Sequence, residues 1–289
     1  MSISDRLGCS TITFRRLPLT AALDTISALG FGEIDLGALP GVCDHVPYVL
    51  DAAAVRDVAA AVRASGLAVR SVNGDVGDLN RPLDPSGQTE RRQHVERLLA
   101  LTAAVGARAL VLPNGALQHE PVADLDADIG LVASELTTVA ERAADHGLEL
   151  WVESLHVLRL CHTLERARRL TDALAGAPVG VVLDVSHVVA SGSRPQEFVE
   201  LFADRIRHVH LRDATPDDIH HSIGNGDVDF PGTVRALADA GYEGHFTLEL
   251  ETRDVADDDR PAAAAAAAAY LGGLLDVDRA APVATATHA

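Results

Sequence analysis

The chain has only three cysteines in 289 residues: Cys9, Cys43 and Cys161. They are far apart, odd in number and form no C-x-x-C pair, which argues against a disulfide framework and a thiolate zinc site. Buried free thiols are the expectation. Positive charge is also scarce. Lys and Arg together number 24 against 42 Asp and Glu, and the formal net charge is −18. Phosphate backbones are held by clustered Lys and Arg, so no nucleic-acid partner is expected. No apolar run approaches the ~20 residues that span a bilayer. The opening "MSISDRLGCSTITF" lacks a basic region followed by an apolar run, so no signal peptide, no membrane partner and a cytoplasmic location are expected. No Gly-x-Gly-x-x-Gly follows the first strand, which weakens a dinucleotide-binding reading.

What is present is a rhythm of short apolar strand, polar loop and longer amphipathic stretch. The strand segments are 7–13, 32–37, 67–73, 107–113, 148–154, 179–185, 206–211 and 245–251. Helical patterns lie at 19–30, 51–66, 197–204 and 231–241, with Asp51 as a cap and Gly30 and Gly66 as stops. Strands alternating with helices predict parallel βα units. Eight such units predict a single α/β domain, a (β/α)8 TIM barrel over residues 1–276, with 277–289 as a loose tail. A doubly wound open sheet is the runner-up. The alanine-rich run 261–275 reads as a last helix. Loops 74–86 and 114–127 are long enough to cover an active site.

In such a barrel the chemistry lies at the C-terminal ends of the strands. Side chains alternate between the faces of a strand. In "LELWVES", "VGVVLDV", "IRHVHL" and "HFTLELE" one face is aliphatic, and the other carries an ionisable residue near the strand's end. Glu153, Asp184, His210 and Glu249 therefore share one rim, separated by 31, 26 and 39 residues, each about one βα unit. Glu251 has the same parity as Glu249, and spacing favours Glu249. Two glutamates, an aspartate and a histidine are hard oxygen and nitrogen ligands, suited to one divalent ion: Mn²⁺ preferred, Mg²⁺ or Co²⁺ as alternatives. Each residue taken alone also has a plain structural reading. Asp184, in "LDVSH", is equally well placed to cap the helix that follows.

The segments "WVESLH", "LDVSH", "HVHLRDA", "IGNGDVDFPG" and "GYEGHFTLELE" resemble the xylose isomerase-like barrel superfamily, in its sugar (phosphate) isomerase/epimerase branch. The resemblance covers nearly the whole chain. It implies that Glu153, Asp184, His210 and Glu249 bind one divalent metal, and the "GYEGHFTLE" spacing selects Glu249 over Glu251. It further implies that His187 lies near metal or substrate, that Arg212 contacts substrate, and that His156 is placed to do the same. Asp35, in "EIDLG", stands where relatives often carry Glu. Asn73 and Asn114 end strands three and four and are candidates for hydrogen bonds to sugar hydroxyls.

The expected activity is isomerisation or epimerisation of a ketose, keto-sugar or cyclitol through an enediolate, with Glu153 and Glu249 moving the proton. An inosose-type dehydratase would use the same site. A non-catalytic binding barrel is a further alternative, and a homo-oligomer is compatible with all of these. An apurinic-site endonuclease shares the barrel but needs more histidines on the early strands and a basic face, which this sequence lacks.

Overall fold

The computed structural model describes residues 3–280, with side chains through residue 276. Eight parallel strands close into a barrel in the order β1, β10, β7, β6, β5, β4, β3, β2. They are β1 (Leu7–Ser10), β2 (Glu33–Ala38), β3 (Ala68–Gly74), β4 (Ala109–Pro113), β5 (Glu149–Glu153), β6 (Val179–Asp184), β7 (Ile206–Leu211) and β10 (Phe246–Leu248). After β7 comes an antiparallel hairpin outside the barrel, β8 (Asp213–Thr215) and β9 (Asp218–His221). The helices are α1 (Leu19–Ala28), α2 (Ala52–Ser65), α3 (Pro85–Ala104), α4 (Leu125–Asp145), α5 (Leu164–Ala173), α6 (Val185–Ala190), α7 (Pro195–Phe202), α8 (Phe230–Asp239) and α9 (Arg260–Ala280). The molecule is a single (β/α)8 barrel. Among the described residues no helix is long and apolar enough to cross a membrane.

Local chemistry sets the ends of the helices. Asp51 Oδ1 accepts the Ala53 and Ala54 N–H groups at 2.9 and 2.8 Å and starts α2. Gly66 ends it at φ 73°, a left-handed conformation that side-chain-bearing residues avoid. The first and last strands are shorter than their apolar patterns. Residues Thr11–Phe14 wind into a 3-10 turn, with Ser10 Oγ accepting the Ile12 N–H. Glu249 lies just past β10, although its N–H still bonds the Leu211 carbonyl at 3.1 Å. Helix α9 runs to Ala280, beyond the boundary expected at 276, and residues 281–289 lie outside the described residues.

Two register shifts decide which side chains enter the barrel. Between β2 and β3, Ile34 pairs with Val69 but Asp35 pairs with Ser71, so Arg70 is an extra residue. Between β6 and β7, Val181 pairs with Ile206 but Val182 pairs with His208, so Arg207 is extra. Each shift interrupts strict alternation. Val69 and Ile206 pack outward in the main apolar core. Ser71 and His208, two residues on, reach Asp35 inside the barrel.

The main core lies between strands and helices. A separate cluster of Ala109, Val111, Trp151 and Val182 fills the lower bore. All three cysteines are buried and free. Gly180, on β6, makes room for the Trp151 ring: a methyl there would stand 2.6 Å from Trp151 Cδ1 and 2.5 Å from Arg207 Cγ. The arginine can move aside, but the enclosed indole has less freedom. Gly180→Ala is therefore expected to destabilise the fold by about 1–3 kcal/mol. Urea unfolding followed by Trp151 fluorescence measures this; an unchanged midpoint would show that the indole is not held tightly.

Candidate functional site

The C-terminal ends of the strands open into a cavity of about 850 Å³. A smaller one, about 490 Å³, lies at the opposite end of the barrel. There Arg70 and Arg108 are already paired with Glu33 and Glu149. The larger cavity holds the convergent ionisable groups and is the candidate site.

Glu153 ends β5, Asp184 ends β6, His210 lies in β7 and Glu249 follows β10. One ligand atom from each lies within 4.8 Å of the other three, so the four form a group that could hold a metal ion. All four residues are buried. His210 Nδ1 stands 3.5 Å from Glu249 Oε2 and 3.8 Å from Glu153 Oε1. Both ring nitrogens of His210 are buried without a hydrogen bond; Nε2 has Asp35 Oδ2 at ion-pair distance, 3.3 Å, whereas Nδ1 has only the carboxylates of the cluster around it. Buried polar atoms are rarely left so. A cation among three carboxylates and a ring nitrogen would satisfy it, and the donor set fits a hard divalent ion.

Asp184 divides its oxygens between two tasks. Oδ1 caps α6, accepting the Ser186 N–H at 2.8 Å, the Ser186 hydroxyl at 2.6 Å and the His187 N–H at 3.2 Å. Oδ2 faces Arg212 Nη2 at 3.3 Å. Cap and site residue are therefore not exclusive readings. Glu251 is drawn away from the cluster. Its Oε1 pairs with Arg15, and its Oε2 lies 3.2 Å from Arg212 Nη1.

Electrostatics follow from this crowding. Burial pushes the Glu153 carboxyl up to about 7, with Asp184 and Glu249 adding to the rise and His210 opposing it. Burial alone would lower His210, but Glu249, Asp35 and Glu153 outweigh it and hold the imidazole well above its ordinary value. Without a cation, the cluster keeps protons at neutral pH.

His156 and His187 stack at 3.7 Å between ring centroids and line the cavity. Burial is the first cause that holds both well below the usual histidine range, with neighbouring cations adding to it. His187 Nδ1 accepts the Val157 N–H at 3.3 Å, and His156 Nδ1 accepts the Leu158 N–H at 3.2 Å. A neutral ring that accepts at Nδ1 carries its proton on Nε2. His156 thus presents an Nε2–H donor, whereas both ring nitrogens of His187 face donors, Val157 N–H and Arg212 Nη2. Although Glu153, His156 and His187 are close enough to share an ion, the His156 tautomer disfavours a second metal there. Arg212 Nη2, 3.5 Å from His187 Nε2, disfavours it further.

Two expected site residues are placed elsewhere. Asn114 is fully buried. Its Nδ2 donates to the Glu153 and Ser154 carbonyls at 2.9 and 3.3 Å, and its Oδ1 accepts the Cys161 N–H at 2.9 Å. Its polar atoms are engaged in fixing the segment after β5, and it does not line the cavity. Asp35 lies deeper than the rim, fully buried against His208 and His210. Asn73 does line the cavity, and its Nδ2 is 3.5 Å from Glu249 Oε1. Arg212 also lines it while held by Ser186, Asp184 and Glu251. The expected covering loops contribute Asp75, Val76, Asp78 and Leu117 to the wall. Sequence reasoning missed Arg15, Arg159 and His208. Arg159 donates to Asp75 Oδ2 and the Gly115 carbonyl, both at 2.6 Å, and ties the loops after β3, β4 and β5 together.

An inosose dehydratase of Clostridium botulinum (strain Alaska E43 / Type E3) is 28% identical over 139 residues, 42% of this chain and 46% of that protein. The matched part thus spans under half of that relative. A solved L-ribulose 3-epimerase aligns over 100% of both chains with TM-score 0.77 and 20% identity. The IOLI protein with a binding zinc atom aligns over 93% of this chain and 98% of its own, with TM-score 0.75 and 17% identity. These likenesses show the shared barrel. The family described as "Xylose isomerase-like TIM barrel" matches residues 23–273, and the chain belongs to that family.

Proposed function

We propose that the chain is a divalent-metal-dependent isomerase or epimerase of a ketose, keto-sugar or cyclitol, working by proton transfer through an enediolate. The observation that carries this reading is the convergence of Glu153, Asp184, His210 and Glu249 within 4.8 Å around an unpartnered His210 Nδ1. The zinc atom in the IOLI structure and the sugar named for the L-ribulose 3-epimerase support it. The four residues would hold Mn²⁺, Mg²⁺ or Co²⁺, and such an ion supplies Lewis acidity to a carbonyl and its adjacent hydroxyl.

The chain's own residues supply the rest. Glu249 follows the strand beside His210, and Glu153 comes from two strands away on the other side. A substrate seated between them meets a carboxylate on each face. One removes the proton and the other returns it, which is epimerisation; return to the adjacent carbon is isomerisation. With the ion bound, the Glu153 carboxylate would be ionised and available to take the proton. His156 offers a neutral N–H donor to substrate oxygens. The sequence contains no lysine, so an imine route is closed.

A lyase acting on an inosose is the second reading. It is favoured by the similarity to inosose dehydratase and by His156, whose Nε2 lies 3.8 Å from Glu153 Oε2. A base and a proton donor on one side suit loss of a β-hydroxyl. Incubation with ketoses and inososes in D₂O and Mn²⁺ tests both. Deuterium in recovered or epimeric sugar supports the first reading, and an enone-type product supports the second. A folded, metal-loaded protein inert toward the whole panel would favour a non-catalytic binding barrel.

Metal binding must displace protons from the cluster. Affinity for Mn²⁺ is expected to fall with pH, by more than tenfold and up to roughly a hundredfold per unit below 7, because Glu153 and His210 both hold protons there in the metal-free protein. Calorimetry in buffers of different ionisation enthalpy should show about one or more protons released per ion at pH 6. PH-independent binding without proton release would contradict the raised Glu153.

Asp184→Asn separates the two tasks of that residue. The amide oxygen can still cap α6, but the amide nitrogen would face the buried Arg212, so a loss of about 1–3 kcal/mol with the fold retained is expected. The amide nitrogen would replace a carboxylate oxygen in the cluster, and Mn²⁺ affinity should drop at least about tenfold. Unchanged affinity in a folded variant would leave Asp184 as a cap alone.

Glu153→Gln and Glu249→Gln each keep a carbonyl oxygen but lose the base. With Mn²⁺ in excess, each should lose about 100-fold or more of net turnover. They need not lose the same half-reaction, since one face can still exchange its proton with solvent. Near-wild-type turnover by both metal-replete variants would remove these residues from the chemistry.

A further inference from the structure

Directly beneath the four-residue cluster lies a second polar layer inside the barrel. At its centre is Asp35 of β2, with no exposed surface. Its Oδ1 accepts the Ser71 hydroxyl at 2.8 Å. Its Oδ2 is 2.6 Å from His208 Nε2 and 3.3 Å from His210 Nε2. Thr247 Oγ1 lies 3.2 Å from His208 Nε2. Strands β1 and β10 stand between β2 and β7, so these contacts cross the bore rather than linking neighbours. Among the described residues the two histidines are the only ion-pair partners of Asp35. A buried carboxylate is costly unless paired and hydrogen-bonded, and here its charge is directed at two ring nitrogens.

His210 links this layer to the one above. Its Nε2 faces Asp35, and its Nδ1 faces Glu249 and Glu153. A neutral imidazole has one N–H and one lone pair. The Asp35 carboxylate, 3.3 Å from Nε2 though not in hydrogen-bond alignment with it, favours the proton there electrostatically, because the other tautomer sets a lone pair against a negative oxygen. The lone pair is then left on Nδ1, at the centre of the cluster.

We infer that Asp35 is a positioning residue of the metal centre. It fixes the tautomer and ring plane of His210 so that Nδ1 can serve as a ligand, and Ser71 and His208 hold Asp35 in place. This rests on the metal-dependent reading of the cluster above. It also gives the residue at this deeper position a function without contact to substrate.

Asp35→Asn is the direct test. The side chain keeps its shape, but an amide nitrogen turned toward His210 donates to Nε2 and drives the proton to Nδ1. The dissociation constant for Mn²⁺ or Zn²⁺, measured by calorimetry at constant pH, is expected to rise 10- to 100-fold. Circular dichroism should show the fold retained. Wild-type affinity in a folded Asp35→Asn protein overturns the inference, as does a loss of thermal stability with no change in affinity.

A second measurement does not depend on the variant folding. Long-range ¹H–¹⁵N spectra of the zinc-loaded wild-type protein report which ring nitrogen of His210 is protonated. A proton on Nε2 with metal-shifted Nδ1 supports the assignment; the reverse overturns it. Wild-type protein that binds neither Mn²⁺ nor Zn²⁺ overturns the metal reading itself, and the inference with it. A wild-type protein that binds while the variant binds equally well overturns the inference alone.

Discussion

Three carboxylates and an imidazole share a space in which their ligand atoms lie within 4.8 Å of one another, shielded from water. Like charges at such a distance repel strongly where the dielectric is low. Much of the surrounding structure can be understood as a response. The start of α6 takes one Asp184 oxygen into its cap. Asn73 approaches Glu249. Arg15 and Arg212 draw Glu251 out of the cluster, which prevents a fourth carboxylate from joining. The remaining imbalance raises the proton affinity of the cluster: Glu153 is pushed up to about 7 and His210 well above its ordinary value. A site that retains protons for want of a cation is one in which a divalent ion and protons compete for the same lone pairs.

The barrel makes this concentration of charge sustainable. The parallel strands fix their ends at comparable height, while the helices bury the aliphatic faces. The bore itself is layered. Trp151, Val182, Ala109 and Val111 fill its lower part. Asp35, Ser71, His208 and Thr247 form the polar layer above. The register shifts at Arg70 and Arg207 have a clear purpose in this arrangement. Each allows a strand to send an apolar residue outward low in the barrel and still send a polar one inward higher up.

The same layering explains what could be read from sequence. The aliphatic faces of β5, β6, β7 and β10 leave Glu153, Asp184, His210 and Glu249 on the opposite parity, so their meeting was legible. Depth was not. Asp35 looks like a rim residue in "EIDLG", because alternation gives the face of a side chain but not its height. Asn114 ends a strand as a ligand-binding residue would, and only the folded segment after β5 shows its amide occupied by backbone groups. The helix expected after the Asp184 cap is α6, only six residues long, too short for a periodic pattern to show its end. The hairpin of β8 and β9 is hidden for another reason. Its strands are three and four residues long, and the turn uses Asp217 at φ 66°, a conformation usually signalled by glycine.

The cluster alone does not choose between epimerisation and elimination, because both begin with removal of a proton beside a polarised carbonyl. The choice lies in the surroundings of the two glutamates, which differ. On the Glu153 side stand His156, presenting an N–H group, and, stacked on it, His187. On the Glu249 side stands Asn73, whose amide can steady the carboxylate but is a poor acid. In the proposed chemistry, a β-hydroxyl lying toward His156 would receive a hydrogen bond from that ring while Glu153, having taken the carbon-bound proton, returns it to the departing oxygen as water leaves. A β-hydroxyl lying toward Asn73 would have no such carboxyl and ring pair beside it, and the proton would go back to carbon. On the proposed reading, the outcome would follow from which way round the substrate lies across the His210 axis, and the residues placed to set that orientation are Tyr48, Leu117 and Leu158 from the loops after β2, β4 and β5, with Arg212 and Arg253, all of which line the cavity.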